Sequence, residues 1–160
     1  MLAVSHWSGG GGGLAQVLVN PAAGTPVGDM TSNGGLAAAF DGVTSQANAA
    51  CSARFATSGY VGKSWGAGVR KTITRYRYFA PSDVGPSGAG SVTLTYTLRG
   101  SDDGSSWTTL HTDSASVGAG GSVDVTSGIT TTLNYLYHSV LLSVASGNIF
   151  AAEVMLYETV

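Results

Sequence analysis

Two stretches of this 160-residue chain carry residue types that catalyse reactions in other proteins. The first is the acidic loop of LRGSDDGSSWTTL, where Asp102 and Asp103 are adjacent. A glycosidase holds two carboxyl groups roughly 5–10 Å apart on either side of its substrate. Adjacent carboxylates on a turn point in different directions, so we predict that they shape a hairpin turn. Gly104 supplies the positive φ that the turn requires, and Trp107 is predicted to fill the core.

The second stretch, GKSWG at 62–66, matches the Gly-x-Ser-x-Gly pattern of a nucleophile elbow. An elbow requires a strand before the serine and a helix after it, whereas a strand-like pattern follows Ser64. The stretch is not a phosphate loop either, because Thr57 stands where the first glycine belongs. The histidines, His6, His111 and His138, are scattered and lack zinc-ligand spacing. We therefore predict that the chain is not an enzyme.

The composition limits the partners of the chain. Its net charge of −2 gives no attraction to nucleic acid or to an anionic membrane. No segment approaches the roughly 20 apolar residues of a membrane span, and no apolar leader follows Met1. We therefore expect no nucleic-acid or membrane partner, and synthesis in the cytoplasm without an export signal. The single cysteine, Cys51, excludes an internal disulfide.

Several segments predict β-strands. In SVTLTYTLR (91–99), apolar residues alternate with Ser and Thr, which is the period of a half-buried strand. VRKTITRYRYF (69–79) is also strand-like, but Ile73 is out of phase with Tyr76 and Tyr78, which predicts a bulge. Further strands are predicted in YLYHSVLLSV and AAEVMLYE. Short strands separated by Gly- and Ser-rich turns are typical of an all-β sandwich or barrel.

The N-terminal segment differs from the rest of the chain. Residues 9–13 are five consecutive glycines, which hold no single conformation without neighbours. LAQVLV (14–19) is either a strand added to the sheet or a docking segment for a partner chain. We predict an N-terminal arm at 1–27 and a globular domain at 28–160.

Four blocks, in order, resemble the discoidin family, also called the coagulation factor V/VIII type C domains. They are AAAFDG, GYVGKSWGAG with ITRYRYFAP, LRGSDDGSSWTTL, and YHSVLLSVASGNIFAAEVMLYE. Bacterial carbohydrate-binding modules of the same shape are similar too. The resemblance implies an all-β, discoidin-like (galactose-binding-like) jelly-roll β-sandwich. The chain departs from the family pattern at Ser64, at His138 and in ACSARF, so the resemblance does not identify a ligand.

The resemblance implies two groups of site residues. A glycan site would lie on loops at one end of the sandwich; its candidates are Arg54, Phe55, Tyr60, Asn148 and Phe150. Tyr60 and Phe150 are alternatively core residues. A structural Ca²⁺ would be held by Asp41 and Glu153 with Thr44 or Gln46 nearby, because hard oxygen ligands suit this ion. The alternative is that Asp41 caps its own turn and Glu153 accepts a hydrogen bond from a backbone amide. No cofactor is otherwise required.

The basic residues Lys71, Arg75 and Arg77 share one parity and are predicted to line one face of a strand. Such a face suits an anionic glycan or an acidic neighbouring subunit. Alternatively, it is a solvated face that discourages edge-to-edge pairing of sheets.

Two functions follow from the sequence. The first is a non-enzymatic structural or binding module of a phage particle: an accessory or decoration protein of the capsid, neck or tail. Its arm would dock to other virion subunits, the protein would be multi-copy or a homo-oligomer, and a host-surface polysaccharide is a candidate ligand. The low charge combined with no export signal favours a virion protein released by lysis. The alternative is a soluble, extracellular carbohydrate-binding module unrelated to a virion.

Overall fold

Strands make up most of the regular structure of the chain. The computed structural model describes residues 14–45, 49–51, 56–88 and 90–160. The strands within these ranges are Gln16–Leu18 (β1), Thr25–Gly28 (β2), Ser32–Asn33 (β3), Ala50–Cys51 (β4), Ser58–Ser64 (β5), Ile73–Phe79 (β6), Val92–Ser101 (β7), Thr108–Val117 (β8), Ser122–Val125 (β9), Tyr137–Ser143 (β10), Phe150–Ala151 (β11) and Glu153–Thr159 (β12). GGLAAAFDG, which fits either a helical turn or a strand by sequence, forms a 3₁₀ helix at Leu36–Phe40.

The strands form two main antiparallel sheets that pack face to face around one core. One sheet has five strands in the order β2-β5-β10-β7-β8, and the other has four in the order β1-β12-β6-β9. A small sheet, β11-β4-β3, closes one side. The architecture is the predicted all-β sandwich.

The core confirms the period-two pattern of β7. Leu94, Tyr96 and Leu98 are buried while the residues between them are not. Tyr76 and Tyr78 of the opposite sheet are fully buried against this layer. Tyr78 satisfies its hydroxyl by donating to a backbone carbonyl of β11, across 2.8 Å, because a buried polar group without a partner would destabilise the fold.

The predicted bulge lies in β6. The register pairs Arg75 with Tyr157 and Ile73 with Glu158, so Thr74 is the additional residue. Successive register positions face opposite sides of a sheet. Ile73 therefore points into the core, and Arg75 points outward.

Part of the predicted arm belongs to the sandwich. β1 pairs with β12 and forms one edge of the four-stranded sheet, while β2 pairs with β5 and forms one edge of the five-stranded sheet. The boundary predicted between residues 27 and 28 falls inside β2. Of the two interpretations of 14–19, a strand added to the sheet is the one that the structure forms; the five glycines lie outside the described residues.

The acidic loop is a hairpin turn, as predicted. Oδ1 of Asp103 accepts hydrogen bonds from the backbone N–H groups of Ser105 and Ser106, both across 2.7 Å. Asp102 points elsewhere and pairs with Arg70 across 2.7 Å. These backbone hydrogen bonds hold the pKa of Asp103 well below its usual range.

The prediction that Trp107 fills the core is wrong. Trp107 immediately precedes β8 and is only partly buried. Its indole lies 4.8 Å from the Arg99 guanidinium, on the outer face of the five-stranded sheet. Arg99 alternates with the buried Leu98, so its side chain leaves the sheet on the side away from the core.

Candidate functional site

An arginine and two aromatic rings form a patch on the outer face of the five-stranded sheet. The arginine–aromatic patch consists of Tyr60, Arg99 and Trp107. The rings of Tyr60 and Trp107 meet edge to face with centroids 5.7 Å apart. The Arg99 guanidinium lies 4.9 Å from the Tyr60 ring and 4.8 Å from the Trp107 ring. All three side chains are partly exposed.

Small residues form the floor of the patch. Ser139 of β10 is opposite Gly62 of β5 on one side and opposite Arg99 of β7 on the other. Tyr60 lies on β5 and Trp107 immediately precedes β8, so strands β10 and β7 separate them. The two rings meet above these strands because Gly62 and Ser139 project no large side chain between them. Ser139 is fully buried, and its hydroxyl accepts a hydrogen bond from Nε of Arg99 across 3.2 Å.

Arg99 has no carboxylate partner, unlike the other arginines in the described part of the chain. Arg70, Arg75 and Arg77 each lie within 4 Å of a carboxylate oxygen, and no described carboxylate is that close to Arg99. Nη2 of Arg99 is buried without a hydrogen-bond partner. Burial lowers the pKa of this guanidinium, and Tyr60 and the Asp29 carboxylate oppose the shift.

A strip of hydroxyl groups continues from the patch along β7 and β8. Three cross-strand pairs hydrogen-bond on the same outer face: Thr97 with Thr112 (2.6 Å), Thr95 with Ser114 (2.9 Å) and Ser91 with Ser116 (3.0 Å). Each pair uses one hydroxyl proton internally and leaves the other proton free to donate. We call these six residues the hydroxyl strip.

Of the predicted glycan-binding residues that the structure describes, Tyr60 lies apart from Asn148 and Phe150. Arg54 and Phe55 lie outside the described residues. Phe150 is 5% exposed and belongs to a buried cluster, which favours the core interpretation of this residue. Asn148 is partly buried in the adjoining loop, where its hydrogen bond to Cys51 opposes the rise in the thiol pKa caused by burial. Tyr60 is separate from both, on the outer face of the sheet.

The three predicted basic residues divide between the two sides of their sheet. Arg75 and Arg77 point outward and share the carboxylate of Asp124, at 2.6 and 3.4 Å. The bulge at Thr74 reverses the parity, so Lys71 lies on the other side and pairs with Glu158 across 2.8 Å. Each of these basic groups has an acidic partner within the chain.

Asp41 and Glu153, the predicted calcium ligands, do lie together. Glu153 accepts a hydrogen bond from the N–H of Gly42 across 2.7 Å, and Asp41 accepts one from the N–H of Val43 across 2.8 Å. The Thr44 carbonyl accepts one from a backbone amide across 2.7 Å. Burial raises the pKa of Glu153 to about 7.

These contacts are the ones expected without a metal at this corner. Ca²⁺ takes six to eight oxygen ligands, and the described residues form no group of three or more His, Cys, Asp or Glu side chains suited to a metal. Lys63 is buried beside Glu153 and interacts with it electrostatically. Calcium at Asp41, Thr44 and Glu153 stays a prediction; Gln46 lies outside the described residues.

Ser64 does not sit on a nucleophile elbow. It is the last residue of β5, and the next element along the chain is strand β6 rather than a helix. His138 is fully buried.

Comparison with solved structures confirms the predicted fold. Chitosan-binding module 1 from a chitosanase/glucanase of Paenibacillus sp. IK-5 matches with a TM-score of 0.57 and 24% identity, covering 87% of this chain and 98% of the module. The family 32 carbohydrate-binding module of NanJ from C. perfringens, solved with galactose, matches with a TM-score of 0.65 and 13% identity, covering 90% and 100%. The lectin domain of lectinolysin, solved with Lewis B antigen, matches at 0.59 and 14%, covering 89% and 98%.

The sequence itself matches no protein-family model and no curated protein. The structural likeness therefore shows the fold, a discoidin-like jelly-roll β-sandwich. Among the described residues, no helix is long and apolar enough to cross a membrane.

Proposed function

We propose that this chain is a non-enzymatic carbohydrate-binding module. The observation that carries the proposal is the match to several sugar-binding modules over nearly the whole length of each. A fold hosts more than one function, so the surface has to support the proposal as well. It does so at the arginine–aromatic patch, because sugar-sized ligands bind where aromatic rings lie beside a few polar groups.

Affinity electrophoresis tests this proposal. The purified chain is run through native gels that contain galactomannan, hydroxyethylcellulose or alginate, with serum albumin as the non-binding reference. We expect at least one polysaccharide to retard the chain relative to albumin. Mobility equal to that in the plain gel, for all three polymers, would count against a carbohydrate-binding function.

A finer proposal is that the module is carried by a phage particle, with its N-terminal segment docked to other virion subunits. The edge of the four-stranded sheet supports the docking part of this proposal. Leu14 is 74% exposed and Val160 69%, and Val17 and Leu18 of β1 are exposed between them. Exposed apolar residues on an edge strand favour pairing with another chain.

Native mass spectrometry of the full chain and of residues 14–160 tests the docking role. The shorter variant begins just before β1, so it keeps both main sheets intact. Removal of residues 1–24 would delete β1. We expect both chains to form a defined oligomer, because the shorter variant keeps the exposed residues Leu14, Val17, Leu18 and Val160 of this edge. Two monomers would contradict self-association through this segment. If the module is instead unrelated to a virion, an extracellular location is expected.

A further inference from the structure

We propose that the outer face of the five-stranded sheet binds a neutral glycan chain. In this proposal, Tyr60 and Trp107 stack against a sugar ring, and the hydroxyl strip donates and accepts hydrogen bonds along the rest of the chain. The inference rests on the proposed function. It places the site on the flat of the sheet rather than on the loops that the sequence indicated.

The arginine–aromatic patch supplies the stacking surface. Tyr60 and Trp107 lie above a floor of small residues, Gly62 and Ser139, with part of each ring open to solvent. The carbon–hydrogen face of a sugar ring buries apolar area on such rings, while its hydroxyls stay available to polar neighbours. Arg99 contacts both rings and holds them in place.

The four-stranded sheet also has an arginine stacked on an aromatic ring, and it can be compared with the arginine–aromatic patch. Arg75 stacks over the Tyr157 ring at 4.7 Å in a similar way. Its guanidinium, however, already makes two hydrogen bonds to Asp124, of 2.8 and 2.6 Å. Within the described residues, Arg99 makes one hydrogen bond, of 3.2 Å to Ser139, and pairs with no carboxylate. The two faces therefore differ in charge pairing: Arg75 and Arg77 on the opposite sheet share the Asp124 carboxylate, whereas Arg99 lies beside its aromatic rings without a described carboxylate partner.

The hydroxyl strip argues for a chain of sugars rather than a single one. From Ser91, which immediately precedes β7, to Arg99 the extended chain covers roughly 27 Å at about 3.4 Å per residue, which is longer than one sugar ring. Ser91 and the outward residues of β7 before Arg99, Thr93, Thr95 and Thr97, all carry hydroxyl groups, as do the outward residues Thr112, Ser114 and Ser116 of β8.

The same strip argues for a neutral ligand. Its side chains carry no charge, and the one cation at its end, Arg99, is partly balanced by Asp29. Beside the strip, this face also presents apolar groups: Leu141 of β10 opposite Thr97, and the rings of Tyr60 and Trp107. The strip offers hydroxyl groups only, so it fits the hydroxyl-rich surface of a glycan.

Affinity electrophoresis with galactomannan and hydroxyethylcellulose, plus alginate as the acidic polymer, tests the site. The variants are Trp107→Ala, the double variant Thr97→Val with Thr112→Val, and Tyr157→Ala as the matched control on the opposite sheet. We expect W107A to weaken binding of a neutral polymer about tenfold or more. The double threonine variant, which keeps the shape of the strip, should weaken it about threefold or more, and Y157A should bind as the unsubstituted chain does.

The outcomes separate this inference from the proposed function. If W107A and the threonine variant bind as tightly as the unsubstituted chain while Asn148→Ala loses binding, the loops are the site and the inference is overturned. Retardation by alginate alone would overturn the neutral class of ligand. If no polymer retards the unsubstituted chain, the inference and the proposed function both fall. Thermal unfolding of each variant shows whether it is folded; should W107A unfold, the threonine variant decides.

Discussion

Trp65 donates its indole N–H to Nδ1 of His138 across 2.9 Å, and both side chains are buried. Because Nδ1 accepts this hydrogen bond, the neutral imidazole carries its proton on Nε2. Nε2 is buried and has no hydrogen-bond partner. Burial, together with the nearby charge of Lys71, lowers the pKa of His138 to about 4. The bond therefore depends on a neutral histidine.

His138 should make the fold sensitive to acid. Between pH 6.5 and about 4, the unfolded state binds a proton that the folded state excludes. The contribution of His138 to the free energy of unfolding therefore falls as the pH drops through this range, by an amount on the order of 3 kcal/mol. Urea denaturation at a series of pH values compares the chain with His138→Gln. We expect the difference in stability between the two to shrink towards pH 4; a constant difference would contradict this.

Glu153 should have the opposite effect. Its pKa is raised from 4.5 to about 7, mainly by burial. Between these values the folded state holds a proton that the unfolded state has lost, so the contribution of Glu153 to stability falls as the pH rises. Glu153→Gln keeps an acceptor for the Gly42 amide and removes the titration. We expect E153Q to gain stability relative to the unsubstituted chain from pH 4.5 to 7 by urea denaturation. An unchanged difference across that range would show that Glu153 is ionised in the fold.

Calcium binding at the predicted site would require the ionised form of Glu153. A carboxylate must be ionised to bind the metal, so Ca²⁺ would raise the melting temperature more at pH 8 than at pH 6. Asp41→Asn and E153Q would both abolish the rise. Differential scanning calorimetry with CaCl₂ against EDTA measures it. Equal melting temperatures in the two buffers would contradict a calcium site.

The hairpin turn should depend on Asp103 and much less on Asp102. Oδ1 of Asp103 accepts two backbone hydrogen bonds within the turn. Asp102 makes one exposed ion pair with Arg70, and such pairs contribute little to stability. We expect Asp103→Ala to lower the melting temperature clearly more than Asp102→Ala does. Equal effects would mean that the turn holds without its side-chain hydrogen bonds.

Gly62 should tolerate no side chain. A Cβ at this position would overlap the backbone carbonyl of His138 and the side chain of Ser139. We expect Gly62→Ala to lower the free energy of unfolding by about 2–4 kcal/mol, measured by urea denaturation. Gly118→Ala is the matched control, because a Cβ there meets only ordinary contacts, 3.6 Å or more from Ser91. If both variants unfold alike, the strands adjust to the added methyl group.

Local patterns in the sequence predicted the strands well, because alternation and phase are properties of neighbouring residues. The alternation in β7 and the phase break after Ile73 both appear in the structure. The phase break also changes which face Lys71 occupies, and counting every second residue from Lys71 to Arg77 ignores it. Once Thr74 is accommodated as a bulge, Lys71 no longer shares a face with Arg75.

Arg99 was not predicted as a site residue, although its position in the alternating pattern of β7 indicated where its side chain points. Its parity is opposite to that of the apolar residues of β7, which predicts an outward side chain. Outward residues are numerous, however, and parity alone does not select one. Tyr60 reaches Arg99 only because β10 lies between β5 and β7 with Ser139 at the crossing.

The sequence by itself determined the class of fold, the alternating strands and the turn at Asp103, since each depends on residues close together in the chain. Only the tertiary structure decided that Trp107 lies on the outer face beside Tyr60, and that residues from 16 onward complete the sheets. The physical reason is that these facts depend on strand order and on which small residues lie between distant strands. Neither is encoded within any one segment.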